Sequence, residues 1–385
     1  MRILIVTESP PTAGARGGDG HALILARILP RLSERAEVHL RYFPAPGVTP
    51  ELPGVESADV LPLRPRAVRI LGPLAVWRLP STFARDGLRA RRIVRAESAA
   101  ADVALFHGPK VVPLARAALC PTVVQHVDAW SNQLRHRMES TPWMRRAFAV
   151  HLGMVRRAER RSGAAMHLTV SEPDAAALSR SLGVPVTPVP NGVVRDETQA
   201  PFDQRSGIVF VGSLDYWPNI QAATRLRHEI FPRLRDRRPG LGVRVVGRSP
   251  APQVRSLAAP GFEIVADVPD IQAELRRARL AVFPDEFGSG TRNAVSEAVC
   301  AGLPVIATPH AARNQPSGPH LILARSAEEF AARIAELDER HPWERAHQVA
   351  RQASGRYPTW EEVADRYLEL LGTVRGRGST RLAGT

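Results

Sequence analysis

"LAVFPDEFGSGTRNAVSEAVCAGLPVIAT" (280–308) holds one helical segment between two apolar runs of strand length. "LAVFP" (280–284) and "PVIAT" (304–308) show no polar alternation, the pattern of strands buried on both faces. Between them Ala294, Val295, Ala298 and Val299 recur at helical spacing and form one face. A strand, a helix and a second strand of this length fit a parallel crossover unit. The helix is expected to begin at about Thr291. Ser289, Gly290 and Thr291 would then offer N–H groups at its positive end, after Gly288 has made room for a ligand. Ser289, Asn293 and Glu297 share a polar stripe, which places a carboxylate one turn beyond the tip. A diphosphate and its ribose have that separation, and a carboxylate accepts two hydrogen bonds from neighbouring hydroxyls. The competing reading of Glu297 is an ordinary exposed helix residue.

The same alternation runs through the chain. "RILIVT" (2–7), "EVHLRYF" (37–43), "VALF" (103–106), "PTVVQHV" (121–127) and "HLTVS" (167–171) read as one series of strands. After residue 195 the series restarts with "SGIVFVGS" (206–213), "VRVVGRSP" (243–250) and "FEIV" (262–265). The restart implies two α/β domains, each a doubly wound parallel sheet, with the polar "RDETQAPFDQRS" (195–206) as candidate linker. A length of 385 residues agrees with two domains. "YPTWEEVADRYLELLGTV" (357–374) reads as a last helix, and 375–385 as a tail without apolar pattern.

Two distant cysteines, Cys120 and Cys300, exclude a disulfide framework and point to a reducing, cytoplasmic setting. No apolar run is long enough to span a membrane, and the opening residues read as a strand rather than a signal peptide. The net charge of +14 rests on arginine, with Lys110 the one lysine. Such a charge suits an anionic partner, or reflects only codon usage. In 132–162, Trp143, Met144, Phe148 and Met154 alternate with arginines. That pattern suits peripheral contact with an anionic membrane at its inner face, or a solvated basic helix face. Asp-x-Asp, HExxH, CxxC and GxSxG patterns are absent from the sequence, so neither a metal nor a serine nucleophile is expected.

Ligands of open parallel sheets bind at the carboxyl ends of the strands. Candidate residues there are Gly17 and Gly18 after the first strand, and Gly212 and Ser213 in "FVGSLDYWPN" (210–219). Arg248 in "VVGRSP" and the opening loop Gly288 to Thr291 join them. His107, and His126 with Asp128 on one side of an extended segment, follow strands of the first half and are candidates to bind or deprotonate a hydroxyl.

"VPNGV" (189–193), "FVGSLDYWPN", "VVGRSP" and "FGSGTRNAVSEAVCAGLPVIAT" occur in that order and together resemble the GT-B glycosyltransferases of family GT4. "TVSEPDAAAL" (169–178) and the last helix fit as well. The resemblance implies two Rossmann-like domains facing a central cleft, with the C-terminal helix crossing back to the N-terminal domain. It implies an acceptor domain over 1–190 and a nucleotide-sugar domain over 191–356. It further implies a retaining, metal-independent transfer from a nucleotide-sugar co-substrate to a hydroxyl acceptor, in bacterial polysaccharide or natural-product synthesis, with no separate cofactor. By resemblance, Glu297 holds the ribose, and Gly288, Ser289, Gly290 and Thr291 face the diphosphate and sugar. Gly17 and Gly18 close over the phosphates, and His126 and Asp128 contact acceptor or donor sugar. The usual family motif has two glutamates; the place of the first is Ser289 and a common lysine is replaced by Ala294. Arg248 or Arg292 is then the cation for the leaving diphosphate. Two other readings stand beside this one: an epimerase of nucleotide-sugars on the same fold, and a basic nucleic-acid-binding protein. The scattered arginines oppose the second.

Overall fold

The computed structural model describes residues 1–12, 20–65, 80–129, 131, 145–160, 162–196, 200–288 and 290–382. The chain forms two compact units, Met1–Asn191 with Trp360–Thr385, and Gly192–Thr359.

The first unit is a parallel sheet of seven strands: β1 (Arg2–Thr7), β2 (Glu37–Tyr42), β3 (Ser57–Val60), β4 (Val103–His107), β5 (Thr122–Gln125), β6 (Met166–Thr169) and β7 (Val186–Pro188). Their order is β3-β2-β1-β4-β5-β6-β7. Register aligns Thr7 with Tyr42 on one side and His107 on the other, so the carboxyl ends of three strands lie level. The chain builds outward from β1 and then returns to place β4 on its other side. That reversal opens a crevice between the carboxyl ends of β1 and β4.

The last helix, Trp360–Leu382, belongs to this unit. Its Val363, Ala364, Tyr367, Leu370 and Leu371 bury against Ile24, Leu25, Ile28 and Leu29 of helix Gly20–Arg35. Each such apolar side chain contributes about 1.5–3 kcal/mol. Gln125 donates to Tyr367 Oη at 2.6 Å, and Arg31 grips Asp365 at 3.0 and 3.3 Å. The helix runs eight residues past the expected end at 374, and Arg375 pairs with Asp102 at 3.5 Å. Residues 375–382 are thus helical, not a tail without structure: the backbone ladder continues where the apolar pattern of the sequence ends.

The second unit is a parallel sheet of six strands: β8 (Ile208–Val211), β9 (Val243–Gly247), β10 (Phe262–Ala266), β11 (Leu280–Phe283), β12 (Val305–Ala307) and β13 (Leu321–Leu323). The order β10-β9-β8-β11-β12-β13 repeats the reversal, now between β8 and β11. The expected linker is instead part of this unit. Phe202 stacks edge-on against Trp343 at 5.5 Å, and buried Arg205 donates to the carbonyls of Ala200, Leu275, Ala278 and Ala301. A polar stretch reads as solvent-exposed until the fold supplies the carbonyls that satisfy it.

Candidate active site

In the second unit, Arg292 occupies the crevice where the sheet reverses. Its guanidinium lies 5.1 Å from the ring centre of Phe210 on β8 and 4.9 Å from that of Phe283 on β11. Nη2 donates to the Val211 carbonyl at 3.0 Å, and Nη1 donates to Asn219 Oδ1 at 2.7 Å. Nη1 also lies 2.7 Å from Oδ1 of the buried Asp285, just past β11. Burial pushes the Asp285 carboxyl up, against the pull of Arg292, and pushes the Arg292 guanidinium down. The guanidinium expected as cation for a leaving group is thus held by partners within the unit. Its fork is engaged with both strand ends and clamps them together.

The loop above it is shaped by two glycines. Gly288 has φ of 124° and Gly290 of 72°, a region that side chains rarely enter. The helix begins at Asn293, two residues later than the sequence implies, with Arg292 as an extended N-cap that offers no side-chain bond. A second loop braces the first from the carboxyl end of β12. Gln315 donates to the Arg292 carbonyl at 2.9 Å and accepts from Ser296 Oγ at 3.0 Å. Arg313 Nη2 lies 4.0 Å from where a Cβ on Gly288 would sit. Thr291 Oγ1 is buried without a hydrogen-bond partner among the described residues. Val295, Ala298 and Val299 are buried, and Glu297 is half-buried one turn into the helix.

Across the crevice, Arg248 Nε donates to Ser213 Oγ at 2.9 Å. A Cβ on Gly212 would lie 2.7 Å from Asn219 Nδ2, and one on Gly247 only 1.7 Å from the Gly212 carbonyl. Tyr216, Trp217 and Phe287 are exposed, with the last two rings 5.2 Å apart. The carboxyl end of this one sheet thus carries Gly212, Ser213, Arg248, Gly288, Gly290, Thr291 and Glu297. Ser289, Gly17 and Gly18 lie outside the described residues, as do Trp143 and Met144 of the basic stretch.

In the first unit the pairing of His126 with Asp128 is corrected. The extended backbone ends at Gln125, and Val127 turns left-handed at φ of 65° while its N–H bonds Gln125 Oε1 at 3.0 Å. His126 is buried, with Nε2 3.0 Å from His167 Nδ1 and the rings stacked. Burial, aided by His167, takes its pKa down to about 3. Asp128 is half-buried. His107 is buried as well, and burial likewise lowers it to about 3. Glu8, Lys110, Asp285 and Arg313 were not singled out as site residues by sequence, although Glu8 and Asp285 each follow a strand. Among the described residues no three His, Cys, Asp or Glu side chains are placed to hold a metal ion, and no helix is long and apolar enough to cross a membrane.

Residues 205–339 match the family model described as Glycosyl transferases group 1. Full-length structural likeness extends to HepE of Anabaena in complex with UDP and glucose, at a TM-score of 0.63 and 14% identity over 97% of this chain and 100% of that one. Sucrose-phosphate synthase of Thermosynechococcus elongatus has a TM-score of 0.66 and 14% identity over 98% and 100%. WaaG, a glycosyltransferase involved in lipopolysaccharide biosynthesis, has a TM-score of 0.63 and 13% identity over 96% and 99%. No curated protein matches the chain by sequence. The two reversed parallel sheets are those of the GT-B glycosyltransferase fold. Within that fold, residues 205–339 are similar to the group 1 glycosyl transferases.

Proposed function

We propose that the protein is a retaining glycosyltransferase that moves a sugar from a nucleotide-sugar to a hydroxyl of a small-molecule, polysaccharide or lipid-linked acceptor. The observation that carries the reading is the pair of left-handed glycines, Gly288 and Gly290, set before a helix whose next turn presents Glu297. Gly288, Gly290 and Thr291 receive the diphosphate, with Ser289 between them, and Glu297 takes the two ribose hydroxyls. Gly212 and Ser213 border the same site. The bond from the sugar C1 to the diphosphate oxygen breaks, leaving an oxocarbenium-like sugar. The acceptor oxygen bonds C1 on the face just vacated, and its proton passes to the departing diphosphate. Side-chain cations take the developing charge in place of a metal, and with Arg292 engaged as a clamp that task falls to Arg248 and Arg313. HepE, of the same fold, is described with UDP and with UDP-glucose, which supports a nucleotide-sugar donor.

A thermal-shift panel of UDP-, GDP-, TDP- and ADP-sugars tests the donor, since a ligand that binds only the folded state raises its melting temperature. One member is expected to do so, and the product it gives with an acceptor should keep the donor's anomeric configuration. Release of an epimerised free nucleotide-sugar, or no shift with any member, would reject the proposal.

A further inference from the structure

The segments that follow β8 and β11, the strands on either side of the second sheet's reversal, carry three rings that the diphosphate and ribose contacts leave unused. Trp217 belongs to the first segment and Phe287 to the second, with ring centres 5.2 Å apart and planes tilted by 37°. The two segments touch, since a Cβ on Gly288 would lie 3.6 Å from Pro218 Cβ. Tyr216, Trp217 and Phe287 are 42%, 45% and 43% exposed, and no other Phe, Tyr or Trp among the described residues is exposed. Such rings are ordinarily drawn inside, so a cluster of them in water marks a surface to be covered. Local structure does not account for the tyrosine. It is the N-cap of helix Trp217–Arg225, where Ser, Thr, Asp or Asn would bond the free N–H groups, and its side chain makes no such bond.

A carboxylate precedes the rings in each segment. Asp215 is exposed, and the half-exposed Glu286 places Oε1 3.0 Å from Arg225 Nη1. An ionised carboxylate has about four acceptor sites, so that one pairing leaves Glu286 able to take more. Negative charge beside the rings disfavours a phosphate or an anionic headgroup there, although the chain as a whole carries +14. Carboxylates accept from hydroxyls, and ring faces pack against C–H bonds. A pyranose presents both, with hydroxyls at its edge and C–H bonds across one face. An alkyl chain would match the rings and leave the carboxylates without donors.

We propose that Trp217 and Phe287 form a stacking platform for the sugar ring of a saccharide acceptor, with Asp215 and Glu286 accepting from its hydroxyls. The assignment of that sugar to the acceptor rests on the retaining-transferase reading; the sugar platform itself does not. In a retaining transfer the acceptor oxygen bonds C1 on the face that the diphosphate leaves. The acceptor must then approach alongside the diphosphate, and Phe287 adjoins Gly288, the first residue of the diphosphate loop. The donor sugar is tethered to its diphosphate by a covalent bond, whereas the acceptor is held by such contacts alone.

Saturation-transfer NMR on the full-length protein, with its aromatic protons irradiated, reads which ligand protons lie against the rings. The probes are the methyl glycosides of glucose, galactose, mannose and N-acetylglucosamine, with 1-hexanol as the alkyl control. At least one glycoside should receive saturation at its ring C–H protons, and hexanol less. Trp217→Ala should weaken that glycoside about tenfold, the order of one aromatic contact, and Trp217→Phe should recover most of the loss. Calorimetric affinity of Trp217→Ala for the nucleotide should stay that of the wild type. Saturation of no glycoside, equal saturation of hexanol, or wild-type glycoside affinity in Trp217→Ala overturns the platform. So does a nucleotide affinity that falls in that variant, which would give the rings to the base. If Trp217→Ala raises KM for the nucleotide-sugar and not for a saccharide acceptor, the rings hold the donor sugar and the acceptor assignment falls. If glycosides bind through Trp217 while no nucleotide-sugar binds, the transferase reading falls and the sugar platform stands.

Discussion

Arg292 and Asp285 meet at 2.7 Å inside the second sheet's point of reversal, and the arginine reaches the end of β8 in the same posture. Removing one partner of a buried pair strands the other charge, at a cost of about 3–5 kcal/mol. Arg292→Met should therefore destabilise the second unit by roughly that amount in urea unfolding. Asp285→Asn combined with Arg292→Met should recover most of the loss, because no lone charge remains. Equal stability of the single and double variants would show that the pair does not clamp the strands.

Glu297 is the residue whose role is most directly measurable. Two hydrogen bonds to a carboxylate contribute about 1.5–3 kcal/mol each. Glu297→Ala should accordingly weaken nucleotide binding by about a hundredfold or more in calorimetry, with little change in melting temperature, since the side chain is only half-buried. Wild-type affinity in that variant would refute the ribose contact.

Arg313 and Arg248 are assigned to the charge that develops on the departing diphosphate. A group that acts mainly in the transition state affects kcat more than binding. Arg313→Gln should lower kcat about 10²-fold or more, as loss of one such donor does elsewhere, with a smaller change in nucleotide affinity. A rise in KM at constant kcat would place Arg313 in ground-state binding instead.

The parts legible in sequence were those set by neighbours along the chain. Apolar runs gave the interior strands, and the spacing of Val295, Ala298 and Val299 gave the buried face of the helix bearing Glu297. The short edge strands Ser57–Val60, Val186–Pro188 and Leu321–Leu323 were missed, because a strand with one neighbour has less apolar surface to bury. Glu8 and Lys110 are 102 residues apart and meet only because β1 pairs with β4. A partly buried arginine such as Arg292, or a buried one such as Arg205, has no local mark that separates it from a solvated one. His126 was misplaced because alternation was carried through Val127, where a single left-handed residue breaks it.

Gly247 and Gly212 impose a steric requirement at the carboxyl ends of β8 and β9. A methyl on Gly247 would sit 1.7 Å from the Gly212 carbonyl, so the main chain itself must shift, and Gly247→Ala should give no folded second unit. A methyl on Gly212 would press on the Asn219 side chain, which yields more easily but also holds Arg292. Gly212→Ala should fold with a melting temperature lowered by several degrees, about 1–3 kcal/mol of overpacking. Circular dichroism melts separate the two, and equal behaviour would contradict the backbone argument.

His107 and His126 predict how the first unit responds to acid. Both are buried, and burial lowers each pKa to about 3. In the unfolded chain they take up protons near the ordinary value of about 6.5. Between these limits the unfolded state binds more protons, so their contribution to stability is fully present above about pH 6.5 and is lost as pH falls toward 3. Each histidine adds a slope of at most about 1.4 kcal/mol per pH unit, and the pair about twice that. Burial lowers His167 as well, so His126→Asn should remove about a third of the histidine dependence of this unit, read from urea midpoints at about pH 7 and about pH 5, a range where most carboxylates stay ionised. An unchanged slope in the variant would mean that His126 charges in the folded state, which its stacked contact with His167 and full burial oppose.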